Sequence, residues 1–122
     1  MTVIVEMPGS DSDQLRNLRA WLVEEAGLRG NVHLAARPPA EHELGGSVDL
    51  LQLVLGSGGA AATAAGVVIA WLNTRKVEVT VRIRNGEQEI EVTAKGVRSL
   101  RVDELREVTA RMAELLEPAE GD

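Results

Sequence analysis

Residues 50–74 form an uncharged stretch, and any fold of this chain must bury it. The middle of the stretch is almost entirely Gly, Ala, Ser and Thr, and its end is the bulkier run Val67-Val68-Ile69-Ala70-Trp71-Leu72. Apolar surface gains free energy when it leaves water, so a segment of this kind is seldom exposed as a whole. Lipid, a bound cofactor or the protein itself could cover it.

One alternative is an oligomerising transmembrane helix over residues 50–74, because the uncharged run is long enough to cross the hydrocarbon core. Against a membrane helix, the glycines and hydroxyl side chains weaken insertion, and the positive charges of Arg75 and Lys76 would export the N-terminal part of the chain. Small residues recur at every fourth position, as they do where membrane helices pack together: Gly58, Ala62, Gly66 and Ala70.

A second alternative is a nucleotide-binding sensor that uses Gly56 to Gly59, since residues 56–61 fit the pattern G-x-G-x-x-A. Residues 50–55 would then be a buried strand ahead of a phosphate-binding helix N-terminus. Against this alternative, Glu78 stands at the start of the next predicted strand, whereas a ribose-binding acid belongs at the far end of that strand. The motif alone is weakly specific in a chain rich in Ala and Gly.

The interpretation that we adopt is a helix packed within protein. Residues 48–73 read as one helix, with a break allowed near Gly56 to Gly59, a cap at Ser47 and Asp49 in the first turn. Its small residues would let another backbone approach closely, either the domain's own sheet or the same helix of a second subunit. Enlarging Ala62 or Gly66 to Leu should then overpack that contact and cost about 1–3 kcal/mol.

Two β-branched runs, residues 2–7 and 32–36, flank a helical pattern near the N-terminus. Residues 10–13 offer helix-capping oxygens, and Asp11 and Gln14 have the spacing of a capping box. The order strand, helix, strand favours a crossover with parallel strands, although other pairings remain open. The apolar side of the helix consists of Leu15, Leu18, Trp21 and Leu22.

Residues 77–94 alternate between apolar and polar side chains and predict a β-hairpin with an Asn85-Gly86 turn. A two-residue loop there would place complementary charges on one face and apolar pairs on the other. The predicted opposite pairs are Arg84 with Glu87, Arg82 with Glu89, Val81 with Ile90 and Val79 with Val92.

A last helix begins with a cap at Asp103 and ends before Pro118 and an acidic tail, and its apolar stripe consists of Leu105, Val108, Met112, Leu115 and Leu116. We therefore predict an α+β, two-layer sandwich with a mixed four-stranded sheet and helices on one face, in the order β-α-β-α-β-β-α. Residues 1–117 form a single domain, and residues 118–122 form the short acidic tail.

The composition argues against several functions. The chain has no Cys and a net charge of -6, so we expect no zinc–thiolate site and no nucleic-acid partner. Its histidines, His33 and His42, have no further ligands at metal-site spacing, and no catalytic constellation is visible, so we expect neither a cofactor nor an enzyme. The N-terminus lacks the pattern of a secretory signal, so we expect a cytoplasmic protein.

An ordered set of segments resembles the effector-associated constant component family of actinobacterial conflict systems over about residues 3–97. The segments are Leu18-Arg19-Ala20-Trp21-Leu22, Arg37-Pro38-Pro39, Leu55-Gly56-Ser57-Gly58-Gly59-Ala60, Trp71-Leu72-Asn73-Thr74-Arg75 and Val77-Glu78-Val79-Thr80-Val81.

The resemblance implies a non-enzymatic adaptor in antiphage defence, which couples a sensor or an NTP-dependent component to an effector such as a caspase-like or trypsin-like peptidase. The partners would be a protein effector or sensor component and, in a homo-oligomer, further copies of the chain. Our candidate protein–protein interface residues are Gly58, Ala62, Gly66 and Trp71, for which ordinary core packing is the competing explanation.

Overall fold

The uncharged stretch divides into a strand and a helix in the computed structural model, which describes residues 2–8, 12–36, 48–55 and 59–117. Three predicted features lie at least partly outside the described residues. They are the capping pair of Asp11 and Gln14, the cap at Ser47, and Pro118 with the acidic tail. The described strands are β1 Thr2–Glu6, β2 Val32–Ala36, β3 Val48–Val54, β4 Thr80–Asn85 and β5 Gln88–Thr93. The helices are α1 Ser12–Val23, α2 Ala60–Thr74, α3 Ala94–Arg98 and α4 Val102–Leu116, with a 3-10 turn at Ala26–Leu28.

The five described strands form one sheet in the order β2-β3-β1-β4-β5, and every neighbouring pair is antiparallel. The crossover from β1 through α1 to β2 skips the position of β3, and the crossover from β3 through α2 to β4 skips the position of β1. This interleaving of two crossovers is the split β-α-β arrangement. The α+β class is confirmed, and the sheet is antiparallel with five strands instead of mixed with four.

Strand β3 is the main departure from the predicted element order, because a helix was expected from residue 48 onward. Leu51, Leu53 and Leu55 are buried, whereas Gln52 is half-buried and Val54 is exposed, so the side chains alternate as in a strand. The uncharged stretch therefore contains no continuous helix, and α2 has 15 residues. Within the described parts of the chain, no helix is long and apolar enough to cross a membrane.

The core lies between one face of the sheet and the helices. Val3 pairs with Leu53, and Val5 pairs with Leu51 and Ile83, which places these buried side chains on the same sheet face. The helices contribute Leu15, Leu18 and Leu22 from α1, Ala64, Ala65, Val68, Ile69, Trp71 and Leu72 from α2, and Met112 and Leu116 from α4. The core is aliphatic apart from Trp71, since the chain has no Phe or Tyr.

Trp71 connects α2 with α1. Its side chain is fully buried, and its indole Nε1 donates a hydrogen bond of 2.7 Å to Oδ1 of Asn17. The guanidinium of Arg75 lies 4.8 Å from the centre of the ring, in cation–π range. The indole therefore fills core volume while its polar edge has a partner, as a buried tryptophan requires.

The hairpin pairs β4 with β5 two residues away from the predicted register. Arg84 lies opposite Glu89, and Arg82 lies opposite Glu91, because the two loop residues are Gly86 and Glu87. Gly86 has a φ of 66°, which suits the first loop position of a tight hairpin turn. A shift of two residues keeps every side chain on its predicted face, so the facial pattern could not reveal the error.

Two further details near the hairpin differ from the prediction. Strand β5 ends at Thr93, whose hydroxyl accepts a hydrogen bond of 2.9 Å from the N–H of Gly96 and so caps the short helix α3. Helix α4 has Arg101 instead of Asp103 at its N-cap position, and the carboxylate of Glu104 accepts the N–H of Arg101 at 2.9 Å.

Asn85 holds the hairpin against the end of α4, because its side-chain Nδ2 donates to the carbonyl of Leu115 at 2.6 Å. We expect Asn85→Ala to lower the free energy of unfolding by about 1 kcal/mol, the usual contribution of one such bond. Urea denaturation measures this change. The matched control is Gln88→Ala, at the exposed position opposite Asn85, which should change the free energy by less than about 0.5 kcal/mol. Equal effects of the two substitutions would contradict the assigned role of the Asn85 bond.

Candidate functional site

Helix α2 has two faces of different character. Its inner face is buried in the core, whereas Ala62, Gly66 and Ala70 are exposed. These three residues recur at every fourth position and therefore lie along one side of the helix. We call them the small-residue stripe. The stripe leaves the backbone of α2 accessible to another element.

A groove lies on one side of the stripe, between α1 and α2, and has a volume of about 840 Å³. We call it the α1–α2 groove. Its walls combine the half-buried ring of Trp21 with small residues and the acidic end of α1. The lining residues are Asn17, Ala20, Trp21, Glu24 and Glu25 of the α1 side and Ala62, Thr63, Gly66, Val67 and Ala70 of α2.

A smaller groove of about 390 Å³, the α2–α4 groove, lies on the other side of the stripe. Ala62 lines both grooves, so the two meet along α2. Val102 is 68% exposed here, which is high for an apolar side chain of its size. The α4 side is lined by Val102, Leu105, Arg106, Thr109, Ala110 and Ala113.

The charges of the two grooves have opposite sign. Glu24 and Glu25 are exposed at the α1–α2 groove, and Arg106 is exposed at the α2–α4 groove. Among the described residues, none of these three side chains forms an ion pair. The nearby Arg29 donates instead to the main-chain carbonyls of Val23 and Glu24, at 3.0 Å and 3.5 Å. The grooves therefore carry charges that the described part of the fold does not pair internally.

The four residues predicted as a protein–protein interface have different surroundings in the structure. Ala62 and Gly66 are exposed and line the α1–α2 groove, as a contact surface requires. Trp71 is fully buried, so its side chain has no exposed surface through which to contact a partner. Gly58 lies outside the described residues. An interface role for Ala62 and Gly66 stays a prediction.

Gly66 was expected to allow close approach of another backbone, either the domain's own sheet or a second subunit, and the described part of the chain supplies no such backbone. A Cβ built at Gly66 would have no atom of the described chain within 4 Å. Ala62 is likewise exposed rather than pressed against the sheet. Packing inside the described domain therefore does not require either residue to be small.

The sequence analysis identifies neither the α4 wall of the surface nor the acidic wall at Glu24 and Glu25. The signal for the α4 wall was the recurrence of Val102, Arg106 and Ala110 at every fourth position, which places them on one side of α4. Nothing in the sequence indicates that this side of α4 borders the same helix as Glu24. That relation depends on how the helices pack.

The described residues considered for a metal site do not form one, and the acid considered for a nucleotide-binding site has a structural role. His33 is exposed, and the described residues contain no group of three or more His, Asp or Glu that could hold a metal ion. Glu78 accepts the N–H groups of Val79 and Lys95, at 3.2 Å and 2.9 Å, which ties β4 to α3. The strand that the nucleotide-binding alternative requires ahead of the glycine motif is present as β3, but the sheet is antiparallel, unlike the parallel sheets of dinucleotide-binding domains.

These features define a small two-layer α+β domain that presents a helical surface with two grooves. A protein-family model described as Effector Associated Constant Component 1 matches residues 8–113, and the chain belongs to this family. No curated protein and no solved structure shows significant similarity to the chain. The resemblance noted in the sequence is thereby confirmed at the level of the family.

A larger side chain should change the free energy of unfolding in opposite directions at neighbouring positions on the two faces of α2. Ala65 is fully buried, so Ala65→Leu should lower the free energy of unfolding by about 1–3 kcal/mol through overpacking. Gly66 is exposed with open space around it, so Gly66→Ala should raise the free energy by about 0.5–1 kcal/mol through helix propensity. Chemical denaturation of both variants at low protein concentration measures the difference. Destabilisation by Gly66→Ala would mean that another element packs on Gly66.

Proposed function

We propose that this chain is a non-enzymatic adaptor of a bacterial conflict system. It couples a sensor or an NTP-dependent component to an effector, for example a caspase-like or trypsin-like peptidase, and acts in the cytoplasm in antiphage defence. Membership of the Effector Associated Constant Component 1 family supports the association with effectors. The adaptor role and the identity of the partners are the part that we add.

The observation that carries the proposal is the exposure of the small-residue stripe between two grooves. Gly lowers helix stability relative to Ala by about 0.5–1 kcal/mol, so an exposed helical Gly that the domain does not need calls for another explanation. Small side chains on one helix let a second helix pack at the short end of the usual 8–10 Å interaxial range. We therefore assign the docking of a protein partner to the stripe with its two grooves, and call the whole region the α2 surface.

The described ionisable residues support an adaptor more than a catalyst. Arg82 pairs with Glu91 at 3.1 Å and with Glu89 at 3.4 Å on the open face of the sheet. Arg84 pairs with Glu6 at 3.0 Å on the same face. Groups that neutralise one another across strands stabilise a sheet and its register. The charges of Arg82, Arg84 and their glutamates therefore have a structural use in the sheet, which needs no catalytic role to explain it.

The adaptor proposal is tested by enlarging the stripe and measuring co-purification with a tagged candidate effector encoded beside this chain. Gly66→Leu should reduce effector binding at least about fivefold, because overpacking an interface by about 1–3 kcal/mol lowers affinity by roughly 5- to 150-fold. The control is Glu107→Leu, which adds a similar apolar side chain at an exposed position of α4 outside both grooves.

Thermal unfolding should show that both variants remain folded. Unchanged effector binding by the Gly66→Leu variant would contradict a role of the α2 surface in effector binding. Equal loss with Glu107→Leu would show that the substitution acts without regard to position, and would count against the surface in the same way.

A further inference from the structure

The two grooves place opposite charges on opposite sides of a single residue. Ala62 lines the α1–α2 groove together with Glu24 and Glu25, and it also lines the α2–α4 groove together with Arg106. The acidic and the basic wall therefore belong to two grooves that meet at Ala62. Both walls are exposed, and the described residues supply no ion-pair partner for any of the three charges. A surface with this layout is complementary to itself.

Two copies related by a two-fold axis parallel to α2, lying in the interface between them, place the acidic wall of each copy opposite the basic wall of the other. Rotation about that axis sets the α2 of one copy against the α2 of the other and sets each α1 against the α4 of the second copy. Glu24 and Glu25 of each copy then face Arg106 of the other, and the contact occurs twice, as an isologous interface requires. A two-fold axis across α2 would set α1 against α1, and the acidic residues would not face Arg106.

The apolar residues fit the same rotation. Trp21 lines the α1 wall and Val102 lines the α4 wall, so each would meet the opposite groove of the second copy. Tryptophan at the centre of an interface, surrounded by a polar rim, is a common source of binding free energy. The small-residue stripe between the two walls allows the paired helices to approach closely.

We propose that the partner on the α2 surface is a second copy of this chain, held by reciprocal contacts of Glu24 and Glu25 with Arg106 about a two-fold axis along α2. The inference rests on the proposed adaptor function and names a second copy as the protein docked on the α2 surface. The effector then binds the assembled pair, so Gly66→Leu lowers effector binding by weakening the pair. Self-association of this kind doubles the effector or sensor sites carried by one assembly. Such doubling raises the effective concentration of the bound partners.

Charge reversal combined with mixing tests this arrangement by sedimentation velocity over a wide range of protein concentration. The wild-type chain should show a monomer–dimer equilibrium. Arg106→Glu alone, and the double change Glu24→Lys with Glu25→Lys alone, should each weaken dimerisation about tenfold or more, because like charges then face each other twice. An equimolar mixture of the two variants should form a heterodimer at near wild-type affinity, since both reciprocal contacts are then between opposite charges.

Matched controls alter the same charges elsewhere on α4. Arg111→Glu, and the double change Glu107→Lys with Glu114→Lys, lie outside both grooves and should leave dimerisation within about twofold of wild type at ordinary ionic strength. Circular dichroism of every variant should show the wild-type helix content, because all these positions are exposed.

Two results would overturn the inference. One is a wild-type chain that stays monomeric at all concentrations, and the other is a mixture of the two reversed variants that does not associate more tightly than either variant alone. Co-purification with the effector separates this inference from the proposed function. A monomeric chain that still binds its effector in a Gly66-sensitive way retains the adaptor function and refutes only self-association.

Discussion

Burial of the inner face of α2 against the sheet is the interaction on which the rest of the structure depends. The chain has no Phe or Tyr, so the two layers are held by closely packed aliphatic side chains and by one large ring, that of Trp71. Ala64 and Ala65 are fully buried, which brings the α2 backbone near its neighbours. Helices α1 and α4 then pack on either side of α2, and the bond from Trp71 to Asn17 fixes α1 there. The two surface grooves are consequences of this central position of α2.

Charge pairing on the open face of the sheet complements this packing by linking neighbouring strands. Glu6 is 4% exposed on the central strand β1, and its carboxylate pairs with Arg84 of β4 at 3.0 Å. Arg82 lies between Glu89 and Glu91 of β5. The pairs of Arg82 are exposed and contribute little to overall stability. Arg82 lies directly opposite Glu91 and diagonally from Glu89, so its guanidinium bridges two positions of β5.

The parts of the fold that the sequence predicts are those whose two faces differ in polarity. Helix α1, strand β2 and both strands of the hairpin were found because apolar and polar positions alternate at the expected period. The sequence predicts a helix in place of strand β3 because residues 48–55 are apolar at almost every position, which hides the period of two. The grooves were not predictable at all. One groove needs Glu24 near Ala62 and the other needs Arg106 near Ala62, and only the packing of α1 and α4 beside α2 brings these distant residues together.

The division of α2 into two faces explains how one short helix can be part of the core and also carry the proposed docking surface. Ala65 and Gly66 are adjacent in sequence, yet the first is buried in the core and the second is exposed between the grooves. Because successive helical residues point about 100° apart, a change on the outer face leaves the packing of the inner face intact. The outer face can therefore vary with the partner while the fold stays constant. Trp71 belongs to the inner face, so its contribution to any assembly is indirect, through the position that it gives to α1 and hence to the wall carrying Glu24.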